Sequence, residues 1–167
     1  MLETHPFGVF VPAKARYLIL GSFTGQQSHD WFYGTRRNQF WPILREVYGR
    51  ELVGRVSKEK LFEELGVAIG DIIYQCERVH GSNLDTNLVN IVYNFDPIEN
   101  ILARNKIARI YFSSRFVETI FKRHFKDIIG RYRGIELVTL PSPSPRYAAI
   151  SKEEKARRYV DLLPKLG

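Results

Sequence analysis

Residues 16–25 read RYLILGSFTG, and this stretch decides the fold. Its first half is a short apolar run that ends at Gly21. Such a run is typical of a strand covered on both faces, as in a parallel sheet. Gly21 and Gly25 allow the backbone to turn tightly after the strand and allow a ligand to approach closely. The stretch therefore predicts a buried strand followed by a loop suited to binding.

Three more segments have the pattern of buried strands, and helical patterns lie between them. The strand candidates are residues 67–73 (VAIGDII), 108–112 (ARIYF) and 135–140 (IELVTL). The helix candidates are residues 38–48, a segment that Ser57 would cap, a segment that Asp96 would cap, residues 115–125, and residues 151–163 with a capping box at Ser151. Strands that alternate with helices predict an α/β fold, with a parallel sheet covered by helices on both faces. We expect residues 1–167 to form a single domain.

The carboxyl ends of the predicted strands indicate where a binding site would lie. In parallel α/β folds, ligands bind beyond these ends. Here the ends are followed by residues 21–25, by Ser113 and Ser114, and by residues 141–144. If the sheet is correct, these loops of small residues converge on one edge.

The composition narrows the functional class. The chain has 167 residues and a formal net charge of +7, with a pI near 9.6, so it attracts polyanions such as nucleic acids. Its apolar runs are far shorter than the roughly 20 residues of a membrane helix, and the first residues do not resemble a signal peptide. Cys76 is the only cysteine, and the histidines show no metal-ligand spacing. We therefore expect a cytoplasmic protein without an intramolecular disulfide, a membrane anchor or a metal site.

Residues 21–41 (GSFTGQQSHDWFYGTRRNQFW) combine aromatic and basic side chains. A flipped base needs a ring to stack on and cations near its phosphates, and this mixture suits that task. The alternative is that the aromatic residues are core and that Asn38 is a helix N-cap, since Asn is among the best capping residues. Composition alone favours this alternative. The G-x-G-x-x-G and G-x-x-x-x-G-K-[ST] nucleotide fingerprints are absent.

Residues 140–147 (LPSPSPRY) form a second candidate binding segment. Its three prolines stiffen the backbone. Ser142 and Ser144 offer hydroxyls and, we expect, free N–H groups, which together can hold a phosphate. Arg146 follows and could probe the duplex or fill the gap that a flipped base leaves. The alternative is a rigid connection between a strand and a helix.

A third segment, residues 71–85 (DIIYQCERVHGSNLD), places a polar cluster after an apolar run. A loop of this kind could read a base edge or could be a solvated turn. Its polar members are Glu77, Arg78, His80, Ser82, Asn83 and Asp85.

Taken in series, four motifs resemble the hypoxanthine-DNA glycosylase branch of the uracil-DNA glycosylase superfamily. This branch is close to the mismatch-specific uracil and thymine glycosylases. The motifs are GSFTG at 21–25, RNQFWPIL at 37–44, C-x-R-x-x-G-S-x-L-D at 76–85 and LPSPSP at 140–145. They extend over nearly the whole chain, in the order and spacing of the family.

The resemblance implies a three-layer α/β/α sandwich with a central four-stranded parallel sheet. It also implies a monofunctional DNA glycosylase of base-excision repair, without metal or cofactor. Such an enzyme hydrolyses the N-glycosidic bond of a flipped deaminated base, hypoxanthine or uracil. Its partner is DNA that contains a damaged or mismatched base, and an enzyme of this size is expected to act as a monomer.

The resemblance also assigns roles to residues. Asn38 matches the polar residue that positions the attacking water and is the expected catalytic residue. Phe23 or Tyr33 would stack on the base. The other implied base contacts are Gly21, Ser22, Ser82, Asp85 and Ser113, and the implied DNA contacts are Gly25, Arg37, Ser142, Ser144 and Arg146.

The chain departs from the family pattern at three places. Thr24 stands where members commonly have Pro, and Ser113-Ser114 stand where they often have Asn-Gly. Arg146-Tyr147 replace an expected smaller residue and an Asn. These changes bear on base specificity and activity. They leave open a catalytically inactive nucleic-acid-binding protein on the same fold, and a small-molecule enzyme on a flavodoxin-like sheet.

Overall fold

A computed structural model describes residues 1–24, 30–79 and 87–167. The strands are β1 (Leu2–Thr4), β2 (Tyr17–Gly21), β3 (Val67–Asp71), β4 (Ile73–Arg78), β5 (Leu88–Tyr93), β6 (Arg109–Phe112) and β7 (Glu136–Thr139). The helices are α1 (Phe40–Tyr48), α2 (Arg55–Leu65), α3 (Phe95–Arg104), α4 (Arg115–His124), α5 (Lys126–Arg131) and α6 (Lys152–Leu162).

The main sheet contains four parallel strands in the order β3-β2-β6-β7. All four predicted strands lie in it. The prediction for residues 67–73 was wrong at its carboxyl end, because β3 stops at Asp71. The Ile72 N–H still donates to the Gly21 carbonyl of β2 at 2.9 Å, and Ile73 then begins β4 in another sheet.

The two faces of the parallel sheet are covered by different helices. Leu18 and Leu20 face a core that α3, α4 and α5 close, and Ile19 faces a second core that α1, α2 and α6 close. Burying one such side chain contributes about 1.5–3 kcal/mol, so both cores stabilise the sheet. The predicted three-layer α/β/α sandwich with a central four-stranded parallel sheet is thereby confirmed.

A second sheet was not predicted. It is antiparallel, with the order β1-β4-β5, and its residues Ile73, Cys76 and Leu88 pack into the core of α3, α4 and α5. The carboxyl end of β3 is therefore flanked by this sheet as well as by β2.

Two of the predicted helix caps were wrong, by two residues at α3 and by three residues at α2. α3 begins at Phe95, and its N-cap is Asn94 and not the predicted Asp96. Ser57 lies inside α2 and donates its hydroxyl back to the carbonyls of Val53 and Gly54. Neither N-cap residue makes a side-chain capping bond, so a pattern of capping side chains does not mark where these two helices begin. Within the described part of the chain, no helix combines the length and apolar character needed to cross a membrane.

Candidate active site

The carboxyl edge of the parallel sheet is where the predicted loops meet. β2 ends at Gly21, beside Asp71 at the end of β3. Ser113, directly after β6, still donates its N–H to the backbone of β2 at 3.0 Å. The Gln39 N–H donates to the Pro143 carbonyl at 2.8 Å. The loop after β2, the segment that leads into α1 and the loop after β7 therefore lie at one edge.

Gly21 is required by close contacts at this edge. A Cβ atom at this position would lie 2.4 Å from the Tyr33 hydroxyl oxygen and 2.5 Å from Asp71 Oδ1. Both distances are far below van der Waals contact, so any side chain here would displace one of the two groups. Gly21 thus brings a phenol and a carboxylate to the end of β2.

Some aromatic residues of the segment 21–41 lie in the core, and others lie at the carboxyl edge of the parallel sheet. Trp31 and Phe32 are fully buried, so the core interpretation holds for them. Tyr33 is half-buried, adopts a positive φ of 56° and stacks on Phe40 with 4.2 Å between ring centroids. The Trp41 indole N–H donates to the Phe32 carbonyl at 2.7 Å. This bond ties the segment to α1 and fixes the position of Tyr33.

Phe23 lies between a histidine and an arginine. It is half-buried, and the His5 ring meets it edge-on at 5.8 Å. The Arg78 guanidinium lies 5.6 Å from its ring centroid and pairs with Glu3 at 2.8 Å. Arg78 belongs to the third predicted motif, so the start of that motif contacts the first one.

A buried polar network that the sequence pattern did not predict lies behind this loop. His5 Nε2 lies 2.6 Å from Asp71 Oδ2, and the Thr24 hydroxyl donates to the same oxygen at 2.7 Å. All three residues are buried. Asp71 therefore holds both the N-terminal segment and the loop after β2.

The hydrogen bonds of His5 also indicate which of its two ring nitrogens carries the hydrogen. The Phe7 N–H donates to Nδ1 at 3.1 Å, so Nδ1 acts as the acceptor. A neutral ring then carries its hydrogen on Nε2 and donates it to Asp71. The available sequence signal was an aspartate at the end of an apolar run. Nothing in the local pattern indicated that His5 is its partner.

Asn38 makes a bond that the capping alternative anticipated. Its side-chain oxygen accepts from the Phe40 N–H at 2.9 Å, at the start of α1. Gln39, in the formal N-cap position, has no side-chain capping bond. Asn38 is half-buried, and its amide oxygen has a second lone pair that could hold a water. The structure thus shows the capping bond and leaves the catalytic role a prediction.

The loop after β7 is held through its main-chain carbonyls. The Tyr159 hydroxyl donates to the Pro141 carbonyl at 2.8 Å, and the Lys155 ammonium donates to the Ser144 carbonyl at 3.1 Å. Both side chains come from α6, and burial raises the pKa of Tyr159 and lowers that of Lys155. Together with the Gln39 bond to Pro143, these contacts make residues 141–144 a rigid part of the edge.

The serine hydroxyls of this loop bond within it. The Ser144 N–H donates to the Ser142 hydroxyl oxygen, and the Arg146 N–H donates to the Ser144 hydroxyl oxygen, both at 3.2 Å. The expectation that the Ser144 N–H is free was therefore wrong, because the serine before it supplies an acceptor. A hydroxyl that accepts still has its own hydrogen to donate, so both serines keep a donor for a phosphate.

The remaining predicted residues lie at different depths. Arg37 and Arg146 are exposed, Ser22 is half-buried and Ser113 is buried. Ser114, rather than Ser113, caps α4 by accepting from the Val117 N–H. Within residues 1–24, 30–79 and 87–167, no group of three His, Cys, Asp or Glu side chains is arranged for a metal. Three predicted contacts lie outside the described residues, namely Gly25, Ser82 and Asp85.

The buried network allows a stability prediction. Thr24→Val removes a hydrogen bond to a charged acceptor and is expected to lower the free energy of unfolding by about 1.5–3 kcal/mol. Thr119→Val is the matched control, because the Thr119 hydroxyl is exposed and bonds only within α4. It should change the free energy by less than about 0.5 kcal/mol. Urea denaturation measures both, and equal small losses would contradict a stabilising role for the bond to Asp71.

Comparisons with known proteins address the fold. No protein-family model and no curated protein matches the chain. A solution NMR structure of a "putative Uracil DNA glycosylase" from Methanosarcina acetivorans does match, with a TM-score of 0.70 and 22% sequence identity. The match covers 97% of this chain and 99% of that chain. The chain therefore shares its α/β/α fold with that protein over almost its entire length.

Proposed function

We propose that this protein is a DNA glycosylase of the uracil-DNA glycosylase superfamily, which hydrolyses the N-glycosidic bond of a flipped deaminated base. The observation that carries the proposal is the 2.8 Å hydrogen bond from the Gln39 N–H to the Pro143 carbonyl. Asn38 therefore lies next to the loop after β7, residues 141–147, which we call the Pro-Ser loop, at the edge where parallel sheets bind ligands. Fold alone does not fix function, so the likeness to a "putative Uracil DNA glycosylase" is supporting evidence only.

Asn38 would orient the attacking water. One lone pair of its amide oxygen accepts from the Phe40 N–H, which fixes the side chain, and the second can accept from a water. The water oxygen bonds to the sugar C1′ as the C1′–N bond breaks, and the electron pair of that bond leaves with the base. The water then releases one proton to solvent and the base takes up one proton from solvent, so that one water is added across the bond. Because an amide does not readily take the water's proton, catalysis depends on stabilising the departing base and an oxocarbenium-like sugar.

The base would enter between the loops that follow β2 and β6. Tyr33 or Phe23 offers a ring for stacking, and Ser113 offers a hydroxyl that can donate or accept. Hypoxanthine and uracil each present a carbonyl next to an N–H, so such a hydroxyl suits either base. We assign the remaining base contacts to Gly21 and Ser22, together with the predicted Ser82 and Asp85.

DNA would be held by charge and by the Pro-Ser loop. The net charge of +7 favours a polyanion, and the hydroxyls of Ser142 and Ser144 can donate to phosphate oxygens. Arg37 and Arg146 are exposed and able to reach DNA, with Gly25 as a further predicted contact. In this proposal a monomer acts in the cytoplasm as a monofunctional enzyme, without metal or cofactor.

One observation favours a second candidate, a catalytically inactive DNA-binding protein on the same fold. The Asn38 side chain already caps the start of α1, and this bond accounts for the residue without any catalysis. Binding without turnover, with an affinity that falls steeply as salt rises, would support this candidate.

The direct test is base release. Labelled oligonucleotides that contain uracil, hypoxanthine, xanthine or a G·T mismatch are incubated with excess protein, as single strands and duplexes, and abasic sites are then cut with alkali. We expect strand cuts with uracil or hypoxanthine. An undamaged duplex of the same sequence is the control. Salt-sensitive binding without cuts in any substrate would contradict the enzyme and favour the inactive binding protein.

Asn38→Ala separates chemistry from binding. We expect the single-turnover rate constant to fall by about 100-fold or more, because the water loses its orienting group. DNA affinity should change by less than about three-fold, since Asn38 is not assigned to a phosphate. Asn38→Ser is the control, because Ser also caps helices but has a shorter side chain. If Asn38→Ser restores both stability and full activity, Asn38 acts only as a cap.

Arg146→Ala tests the duplex-probing role. The variant should weaken binding to a lesion duplex about ten-fold more than binding to a lesion-bearing single strand, because only the duplex has a stacked gap to fill. Arg104→Ala is the matched control, since it removes an exposed charge at the end of α3, near the opposite edge of the sheet. Equal losses on both substrates would leave simple phosphate contact as the role of Arg146.

A further inference from the structure

Lys155 is a buried ammonium at the junction of two loops of the proposed site. Only 1% of the residue is exposed, and it lies in the first turn of α6. Its Nζ lies 2.7 Å from Gln39 Oε1 and 3.1 Å from the Ser144 carbonyl oxygen. The Tyr147 ring centroid is 5.2 Å away. Among the residues that the structure describes, no carboxylate lies within ion-pair distance of this ammonium.

Packing alone does not account for a charge at this place. Burial disfavours the ammonium form and lowers the pKa of Lys155. A methionine would fill a similar volume without this penalty. It could not, however, donate hydrogen bonds to two carbonyl oxygens at once. The specific contribution of the ammonium is therefore the link between Gln39 and Ser144.

This link acts on the residue next to Asn38. The Gln39 N–H is already bonded to the Pro143 carbonyl, and Lys155 adds a bond to the Gln39 side chain. Residue 39 is thus held to the Pro-Ser loop by its backbone and to α6 by its side chain. With Phe40 bonded to the Asn38 amide oxygen, residue 38 has fixed neighbours on its carboxyl side.

We propose that Lys155 is a positioning residue, which acts through Gln39 to hold Asn38 in a fixed place against the Pro-Ser loop. Its effect on base release rests on the proposed function, whereas the contact itself can be tested without any activity.

Hydrogen exchange of the Gln39 backbone amide, measured by NMR on the full chain, reports how firmly residue 39 is held to the Pro-Ser loop, because this N–H bonds to the Pro143 carbonyl. In Lys155→Met, this amide should exchange at least about ten-fold faster, while the Ile19 amide in the core of the sheet exchanges at its wild-type rate. Lys106→Met is the matched control, because it removes an exposed charge before β6, at the opposite edge of the sheet, and should change neither amide. An unchanged Gln39 amide, or equal acceleration at Ile19, would overturn the proposal.

The second readout is the single-turnover rate of base release at saturating protein. Lys155→Met should lower this rate between about ten-fold and 100-fold, with a much smaller change in DNA affinity, because a misplaced Asn38 affects the reaction and not the phosphate contacts. Gln39→Met breaks the same contact from the other side without burying or removing a charge. It should give the same loss, and the double variant should lose no more than either single variant.

The outcomes separate the two proposals. Independent losses that add in the double variant would overturn positioning through Gln39. If the wild-type protein releases no base but the Gln39 amide responds as expected in Lys155→Met, the positioning contact stands and the proposed function falls.

Discussion

β2 lies at the centre of the parallel sheet, and both the layers and the candidate site depend on its burial. Leu18 and Leu20 face one core, Ile19 faces the other, and none of the three is more than 1% exposed. The backbone of a strand covered on both faces has no access to water, so its hydrogen bonds must go to β3 and β6. This pairing fixes where the three strands end. Gly21 is held at that edge, where the contacts with Tyr33 and Asp71 leave no room for a side chain.

Buried polar groups then fix the loop that leaves this edge. Asp71 accepts hydrogen bonds from His5 and Thr24 through its side chain, and its carbonyl accepts from the Asn94 amide at 2.8 Å. An unpaired buried polar group costs about 1–3 kcal/mol, so each partner is needed once the others are in place. The network joins the N-terminal segment, the end of β3 and the loop after β2, which gives Phe23 a fixed backbone.

The parallel sheet was predictable because its strands are continuous apolar runs between clear turn signals. The antiparallel sheet was not. β1 has three residues, β5 contains Asn90 at a φ of 52°, and the register between β4 and β5 shifts twice. Such irregularities remove the alternation by which a half-exposed strand is recognised. The residues of the candidate site were likewise predictable only where their sequence signal is local. Its glycine, proline and serine loops are local signals, whereas His5 lies 66 residues from Asp71 and Lys155 lies 116 residues from Gln39.

The contacts that shape the Pro-Ser loop end mainly on its main-chain carbonyls, which are held by Tyr159, by Gln39 and by Lys155. Because every residue type has a carbonyl, these bonds fix the path of the loop without specifying the side chains that it displays. Under the proposed function, residues 142, 144 and 146 could change with the target while the loop keeps its shape. Thr24 is also restrained, but through its side chain. Its hydroxyl bond to Asp71 restrains a position where a proline would restrain the backbone through φ, so this departure from the family pattern does not by itself loosen the loop. Under the proposed function, the departures at Ser113 and Arg146 therefore bear on which base is recognised, whereas Thr24 takes part in holding the loop.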